Sequence, residues 1–281
     1  MIREASSQDA EAIDRFLQAH AESSMYLRGN LARHGVGFGD DPHSTRFFLL
    51  GDAQLTGVFG VTKSGYLMAQ VPEMTAEAAR AFLMEIAGQP ILGMTGVTSQ
   101  VETVLTVARL QRSRYQLPHD EPLYRLDLKE LPDAREPCRA MTADDLEALE
   151  PWFAAYLVDT DQADAAKAAE LAPARARADL AGGQVRILID DGRPVAMANL
   201  NAVVGEHVQV GGVYVPQEAR GRGLAGRITI ALLQEARDKG ATTSVLFANN
   251  PPAARAYEAI GFQQIGWYGI ALLAEPEVPS L

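Results

Sequence analysis

A stretch rich in glycine and arginine in the last third of the chain has the residues for binding an anion. It reads Arg220-Gly221-Arg222-Gly223-Leu224-Ala225-Gly226 and follows an apolar run that ends at Pro216. From Leu224 onward the apolar residues recur at helical spacing, so the order is strand, turn and helix. The first amides of a helix have no intrahelical partner and lie at the positive end of its dipole. Because Gly221 and Gly223 let a phosphate approach the backbone, the stretch predicts a diphosphate site.

Two familiar phosphate loops fit this stretch only in part. A Walker loop continues from its last glycine into Lys-Ser/Thr, whereas Gly226 is followed by Arg227-Ile228. The pattern Gly221-x-Gly223-x-x-Gly226 matches the dinucleotide fingerprint, but the next strand ends in Asn249-Asn250 without the ribose-binding acid. A nicotinamide-dependent enzyme therefore stays an alternative, with NAD binding as its mark.

Two motifs in the same region carry a family resemblance. Val213-Tyr214-Val215-Pro216 followed by Arg220-x-x-Gly223-x-Ala225 resembles the acyl-CoA signature of the GCN5-related N-acetyltransferases, or GNAT superfamily. The stretch from Asn250 to Phe262, with Tyr257 inside it, resembles the second motif of that family at the expected distance. Within the family, residues 211–262 look most like the FR47-like branch. The resemblance implies direct transfer of an acetyl group from acetyl-CoA, as co-substrate, to an amine acceptor, by default a small molecule.

The resemblance also assigns residues to the cofactor. The strand that ends at Val215 would pair through its backbone with the pantetheine arm, and the amides of 222–226 would hold the diphosphate. The cofactor-binding residues so implied are Val213, Tyr214, Val215, Arg220, Gly221, Arg222, Gly223, Leu224, Ala225, Gly226 and Asn250. For Asn250, capping of the turn before Pro251 is an open alternative.

The catalytic residues follow from the same resemblance. Tyr257 matches the family tyrosine that protonates the departing CoA thiolate, and the alternative is an ordinary core tyrosine. The position of the family's general base is occupied by Gln209, whose amide is no base. Glu206 and His207 are therefore candidates that act through a water, with a purely structural role as the alternative. The missing base also keeps open a non-catalytic, acyl-CoA-binding regulatory module.

Composition limits the other classes of function. The chain has 281 residues and a formal net charge of −11, which argues against a broad surface for nucleic acid. The single cysteine, Cys138, excludes an internal disulfide, and the scattered histidines suggest no metal site. With no leader pattern and no long apolar run, we expect a cytoplasmic protein that does not enter membranes. Oligomeric state is not readable.

A weak internal repeat predicts the domain organisation. Arg3–Phe16 aligns without a gap onto Arg139–Trp152, and apolar strands in both halves close on Val-Pro, at Val71-Pro72 and Val215-Pro216. We therefore predict an α+β protein with two tandem GNAT-like domains, each a mixed, mostly antiparallel sheet flanked by helices. Residues 1–130 form a degenerate copy that does not bind CoA, 131–138 a linker that includes Cys138, and 139–281 the intact acyl-CoA-binding copy.

The C-terminal half shows the strand and helix order of the family. Helices are predicted over 142–158, 161–180 with a break near Pro173, 224–239 and 252–260. Strands are predicted over 185–190, 194–204, 207–215, 242–248 and 263–273, the first two joined by a tight hairpin at Asp191-Gly192. From the first predicted strand onward, the predicted elements follow the order β-β-β-α-β-α-β.

Overall fold

The structure is a computed structural model that describes residues 1–52, 54–110 and 115–280, without the side chains of 115–119. The described strands are β1 Ile2–Glu4, β2 Thr45–Leu50, β3 Gly57–Thr62, β4 Tyr66–Gln70, β5 Ile91–Val97, β6 Tyr115–Asp127, β7 Cys138–Ala140, β8 Arg186–Asp190, β9 Arg193–Val204, β10 His207–Tyr214, β11 Thr243–Phe247 and β12 Gln263–Glu277. The described α-helices are α1 Ala10–Gln18, α2 Ala21–His34, α3 Ala76–Glu85, α4 Thr98–Val107, α5 Leu146–Asp159, α6 Ala165–Gly182, α7 Leu224–Asp238 and α8 Pro251–Glu258.

The chain forms two compact units whose bounds differ from the expected ones. The first unit is Met1–Pro122 with Gly266–Leu281, and the second is Leu123–Ile265. The last strand, expected to close the C-terminal domain, instead pairs with β5 of the first unit, with Tyr268 opposite Val97 and Leu272 opposite Gly93. The expected linker 131–138 lies inside the second unit, and Cys138 begins strand β7. These bounds depend on the pairing of strands that are far apart in the sequence. Local sequence patterns do not predict such pairing.

The first unit is a sheet with helices on both faces. Its strands lie in the order β1-β2-β3-β4-β5-β12, and of these pairs β4 and β5 run parallel. One face packs against α3 and α4, where Phe59 stacks on Phe82 with ring centroids 4.5 Å apart. The other face packs against α1 and α2 through residues such as Ile13 and Phe47.

The second unit has the same kind of layering. Its strands lie in the order β6-β11-β10-β9-β8-β7, with β10 and β11 parallel. Helix α7 and helix α8 cover one face through Leu232 and Tyr257, and α5 and α6 cover the other through Phe153 and Ala176. A mixed, mostly antiparallel sheet flanked by helices is thereby confirmed for each unit.

Most predicted elements of the second half are confirmed, and one detail was wrong. The order β8-β9-β10-α7-β11-α8-β12 is the expected one, and Asp191 and Gly192 form the tight hairpin with φ of 48° and 75°. Helix α6, however, continues through Pro173 without a break. Ala168, Ala172 and Ala176 form its buried stripe, and this packing outweighs the one hydrogen bond that the proline removes.

The two units begin with the same capping geometry. In the first, Asp9 accepts the Ser6 amide at 2.8 Å and pairs with Arg3 at 2.6 Å. In the second, Asp145 accepts the Thr142 amide at 2.8 Å and pairs with Arg139 at 2.6 Å. These are the residues that the sequence repeat aligned, and both sets form a capping box ahead of a helix.

Candidate active site

Strand β10 separates from its parallel neighbour halfway along its length. The paired residues run from His207 opposite Thr243 to Gln209 opposite Val245, and no later pair joins β10 to β11 among the described residues. Strand β11 itself continues to Phe247, paired on its other side with β6. The backbone of β10 from Val210 onward is therefore open on the β11 side, and it can pair with an extended ligand there.

The same half of β10 carries a β-bulge toward β9. Gly211 lies opposite Asn199 and Tyr214 opposite Met197, so three steps on β10 match two on β9. Gly212 adopts a φ of 58° at this point. A bulge leaves backbone groups unpaired and re-aims the strand, so hydrogen-bonding groups of β10 become available beside the open edge.

The loop after β10 has the conformation that glycine permits. Gly221 and Gly223 have φ of 77° and 74°, and a Cβ at either would meet nothing within 4 Å. Helix α7 begins at Leu224, and its first intrahelical bond joins the Arg227 amide to the Gly223 carbonyl at 3.1 Å. No side chain caps this end. The amides of 224–226 thus precede the first intrahelical bond and lie at the positive end of the dipole, as an anion site requires.

The two loop arginines are held by carboxylates that the sequence did not single out for them. Arg220 pairs with Asp159 at the end of α5, donates to the Val215 carbonyl at 3.0 Å, and lies over the Tyr214 ring. Arg222 is exposed and approaches Asp190 at 3.4 Å. Arg220 therefore braces the end of β10 against α5, and its charge beside the expected diphosphate is offset by Asp159.

The second motif is placed by helix α8. Asn250 caps this helix, its Oδ1 accepting the Ala253 amide at 2.8 Å, which is the capping geometry of the alternative interpretation. Tyr257 is buried in the core of the second unit, edge-on to Phe262 with centroids 6.0 Å apart. Gly226 of α7 touches this motif directly, because a Cβ there would come within 3.1 Å of Ile260. The two motifs, distant in sequence, thus pack together.

The candidate bases lie at the other end of β10. Glu206 is exposed in the turn between β9 and β10, where its carbonyl accepts the Thr242 amide at 2.8 Å. His207 is the first residue of β10, about 23 Å along the strand from Tyr214 at about 3.3 Å per residue. The structure therefore does not bring Glu206 or His207 beside the phosphate loop.

Gln209 marks the point where the strands part. Its side chain is fully buried, and neither its Oε1 nor its Nε2 has a hydrogen-bond partner. A buried amide without partners is costly, so this position has a polar group ready for a ligand or a water. The sequence had pointed to this residue only through the absence of a base.

A cleft opens on the α5 and α6 side of the bulge. Gly212 of β10 and Asn199 of β9 line it. Its apolar walls include Phe153, Tyr156 and Met197. Sequence reasoning missed this cleft, because its residues come from four separate elements, α5, α6, β9 and β10.

No helix in the described ranges is long and apolar enough to cross a membrane. Across residues 1–52, 54–110 and 115–280, no group of three or more His, Cys, Asp or Glu side chains is arranged to hold a metal ion.

Solved structures with this fold extend over the whole chain. A Drosophila protein is 15% identical, covers 97% of this chain and 98% of its own, and superposes with a TM-score of 0.65. A GCN5-related N-acetyltransferase from Kribbella flavida is 15% identical, with 92% and 95% coverage and a TM-score of 0.57. One from Sphaerobacter thermophilus is 16% identical, with 100% and 96% coverage and a TM-score of 0.55. The fold of this chain is thus GNAT-like.

The similarity in sequence to known acetyltransferases lies in the second unit. Residues 146–262 match the model of the Acetyltransferase (GNAT) family. An acetyltransferase of Agrobacterium fabrum is 37% identical over 57 residues, or 20% of this chain. The chain spans only 42% of that relative's length. Together, residues 146–262 are similar in sequence to this family, and the chain is similar in fold to solved N-acetyltransferase structures.

Proposed function

We propose that the second unit transfers an acetyl group from acetyl-CoA directly to the amino group of a small molecule. The observation that carries the proposal is the opening of β10 from β11 next to the uncapped start of α7. The pantetheine arm pairs with the backbone of Val213, Tyr214 and Val215. The diphosphate accepts hydrogen bonds from the amides of Arg222 to Gly226, with Gly221 and Gly223 giving the turn its shape.

The reaction needs no covalent intermediate on the protein. The amine nitrogen attacks the thioester carbonyl carbon, a C–N bond forms, and the C–S bond breaks. The departing thiolate takes a proton from Tyr257, and the amine releases a proton. Tyr257 is supported by its place in the second motif and by the packing of that motif against α7.

The route of the amine proton follows from the position of the candidate bases. Gln209 stands where a carboxylate would act, and Glu206 and His207 lie at the far end of β10. Glu206 and His207 act in this proposal only through a chain of waters. The reactive acceptor is therefore the neutral amine, and kcat/KM should rise tenfold per pH unit below the amine pKa.

We further propose that the first unit is a degenerate copy whose cofactor slot is closed. Counting from the two Val-Pro pairs, the open stretch Val210–Val213 corresponds to Tyr66–Ala69, which pairs with β5 from Gly93 to Gly96. The Val71 amide, which corresponds to that of Val215, donates to Gln100 Oε1 at 2.9 Å.

The anion site is closed in the first unit as well. Helix α3 is capped by its own Thr75, which accepts the Ala78 amide at 3.1 Å, and Glu77 lies in its first turn. The shared capping boxes and the shared strand orders support two copies of one fold. The FR47-like branch rests on residues 211–262 alone and stays a prediction.

A non-catalytic acyl-CoA-binding module is the second candidate function. The observation that favours it is Gln209, a buried amide at the position of the general base. The two functions share the cofactor site and differ in turnover. In the module, acetyl-CoA binds and no amine is acetylated.

Calorimetric titration with acetyl-CoA, with NADH as control, tests the proposal first. Saturable binding of acetyl-CoA alone, followed by CoA release with an amine, is the expected result. Binding without release at any amine concentration supports the module instead. Failure to bind acetyl-CoA overturns both, and binding of NADH would revive the dinucleotide interpretation.

A further inference from the structure

The phenol of Tyr124 links strand β6 to the last turn of helix α8. Its hydroxyl donates a hydrogen bond to Glu258 Oε1 at 2.7 Å. Tyr124 is 2% exposed and lies in the core of the second unit, whereas Glu258 is exposed. Burial raises the pKa of Tyr124 to about 12, so its hydroxyl keeps the proton and remains a donor at neutral pH.

Glu258 directly follows Tyr257, the residue proposed above as the acid. Successive residues of an α-helix lie about 100° apart around its axis, so the two side chains leave the helix in different directions. Tyr257 enters the core edge-on to Phe262, and Glu258 is held against β6 by Tyr124. Two attachments in different directions fix the rotation of this turn about the helix axis.

The rest of α8 gives this turn little support of its own. The helix has eight residues, and its side-chain cap is at the other end, where Asn250 accepts the Ala253 amide. Within Pro251–Glu258, all of which the structure describes, Tyr257 is the one buried residue. Beyond the helix the chain bends at Gly261, whose φ is 101°. Because helices of this length are marginal in water, tertiary contacts must fix the orientation of α8.

The rotation of the last turn decides where the Tyr257 hydroxyl lies. With its side chains, an α-helix has a radius of about 5–6 Å, so a rotation of about 10° moves the tip of a side chain by about 1 Å. A proton donor must lie within about 2.6–3.2 Å of the atom that takes the proton. A misplacement of about 1 Å can cost about a hundredfold in rate.

We propose that Tyr124 is a positioning residue for Tyr257, because its hydrogen bond to Glu258 fixes the last turn of α8 and brings the Tyr257 hydroxyl to the departing sulfur of CoA. The proposal rests on the function proposed above and deepens it. In the transfer the C–S bond breaks, and the proton passes from the Tyr257 oxygen to the sulfur. Tyr124 and Glu258 affect the rate of this step and not the binding of the cofactor, whose proposed diphosphate site precedes α7.

Removal of the Tyr124 hydroxyl tests the proposal by comparing kcat with the Kd of acetyl-CoA. CoA release is measured with acetyl-CoA and a panel of 2-phenylethylamine, spermidine and glucosamine, and the fastest acceptor is used. In Tyr124→Phe, kcat should fall at least tenfold, while the calorimetric Kd of acetyl-CoA changes less than twofold. Tyr66→Phe, the same change on β4 of the first unit, is the control and should leave kcat unchanged.

Substitutions of Glu258 test the acceptor side of the same hydrogen bond. Glu258→Gln keeps an oxygen that accepts the Tyr124 hydroxyl and should retain at least half of the wild-type kcat. Glu258→Ala removes the acceptor and should match Tyr124→Phe within twofold. Because Glu258 is exposed, this variant keeps the test decisive if Tyr124→Phe does not fold. Wild-type kcat in Glu258→Ala overturns the proposal.

A double-mutant cycle tests whether the effect passes through Tyr257. In a Tyr257→Phe background the acid is absent, so adding Tyr124→Phe should lower kcat by less than twofold. If Tyr124 only supported the fold, it would lower kcat by the same factor in both backgrounds, and this result overturns the proposal.

The outcomes separate this inference from the function on which it rests. Wild-type protein that binds acetyl-CoA but releases no CoA with any amine of the panel removes the proposed transfer, and this inference with it. Turnover by the wild type that is unchanged in Tyr124→Phe removes this inference alone.

Discussion

The shape and charge of the loop before α7 can be tested by one substitution with a close structural control. Gly223 has φ 74° and ψ 7°, and Gly183 at the end of α6 has φ 68° and ψ 10°. A Cβ at either position meets nothing within 4 Å. Aspartate at either site therefore carries the same strain, about 1–2 kcal/mol, without a steric clash.

The two variants place the new carboxylate at different helix ends, the start of α7 for Gly223→Asp and the end of α6 for Gly183→Asp. In Gly223→Asp it stands where the proposed diphosphate would bind. At an effective dielectric constant of about 20, two unit charges about 4 Å apart repel by about 4 kcal/mol. This corresponds to a loss of affinity for acetyl-CoA of roughly a thousandfold. Gly183→Asp should lose more stability than Gly223→Asp, because its carboxylate meets the negative end of a helix dipole, and it should leave the affinity unchanged.

Calorimetry with acetyl-CoA, together with thermal denaturation, measures both effects. Gly223→Asn adds the same backbone strain without charge and should lie between the wild type and Gly223→Asp in affinity. If Gly223→Asp binds acetyl-CoA within threefold of the wild type, the diphosphate is not on this loop. An equal loss of affinity in Gly183→Asp would show that the effect is one of folding.

Three further predictions concern individual side chains. Tyr257→Phe should lower kcat about a hundredfold with little change in the Kd of acetyl-CoA, and an unchanged kcat would remove its role as the acid. Burial raises the pKa of the Cys138 thiol to about 11, so at pH 8 roughly one thiol in a thousand is ionised. Ellman's reagent should therefore react with Cys138 at least a hundredfold more slowly than it reacts with glutathione. Equal rates for the two thiols would contradict the burial of Cys138. The hydrogen bond from Arg139 holds the pKa of Asp145 well below its unfolded value of about 3.9, so its stabilisation is present above that pH and is lost as the pH falls toward the folded value. Asp145→Asn should therefore cost about 2 kcal/mol at pH 7 in urea denaturation and less below about pH 4; a cost that does not change with pH would refute the ion pair as its source.

Local elements of the fold were predictable because their causes are local. The hairpin at Asp191-Gly192 follows from two residues that accept a positive φ, and the start of α7 follows from Gly223 and the apolar spacing after it. The break expected at Pro173 was wrong, because packing of α6 against α5 overrides the local cost of the proline. Domain bounds were missed for a related reason, since strands β6 and β12 take their partners from distant parts of the chain.

Some features of the candidate site also have local causes, and others depend on contacts between distant residues. The sequence by itself determined the conformation of the phosphate loop and its motif, because glycines and helix starts act over a few residues. Only the tertiary structure decided that Arg220 is held by Asp159, 61 residues away, and that Gln100 fills the slot beside Val71. The opening of β10 after Gln209 and the cleft over Asn199 also depend on pairing and packing between separate elements. Contacts of this kind are fixed when strands and helices meet, and no single stretch of sequence contains them.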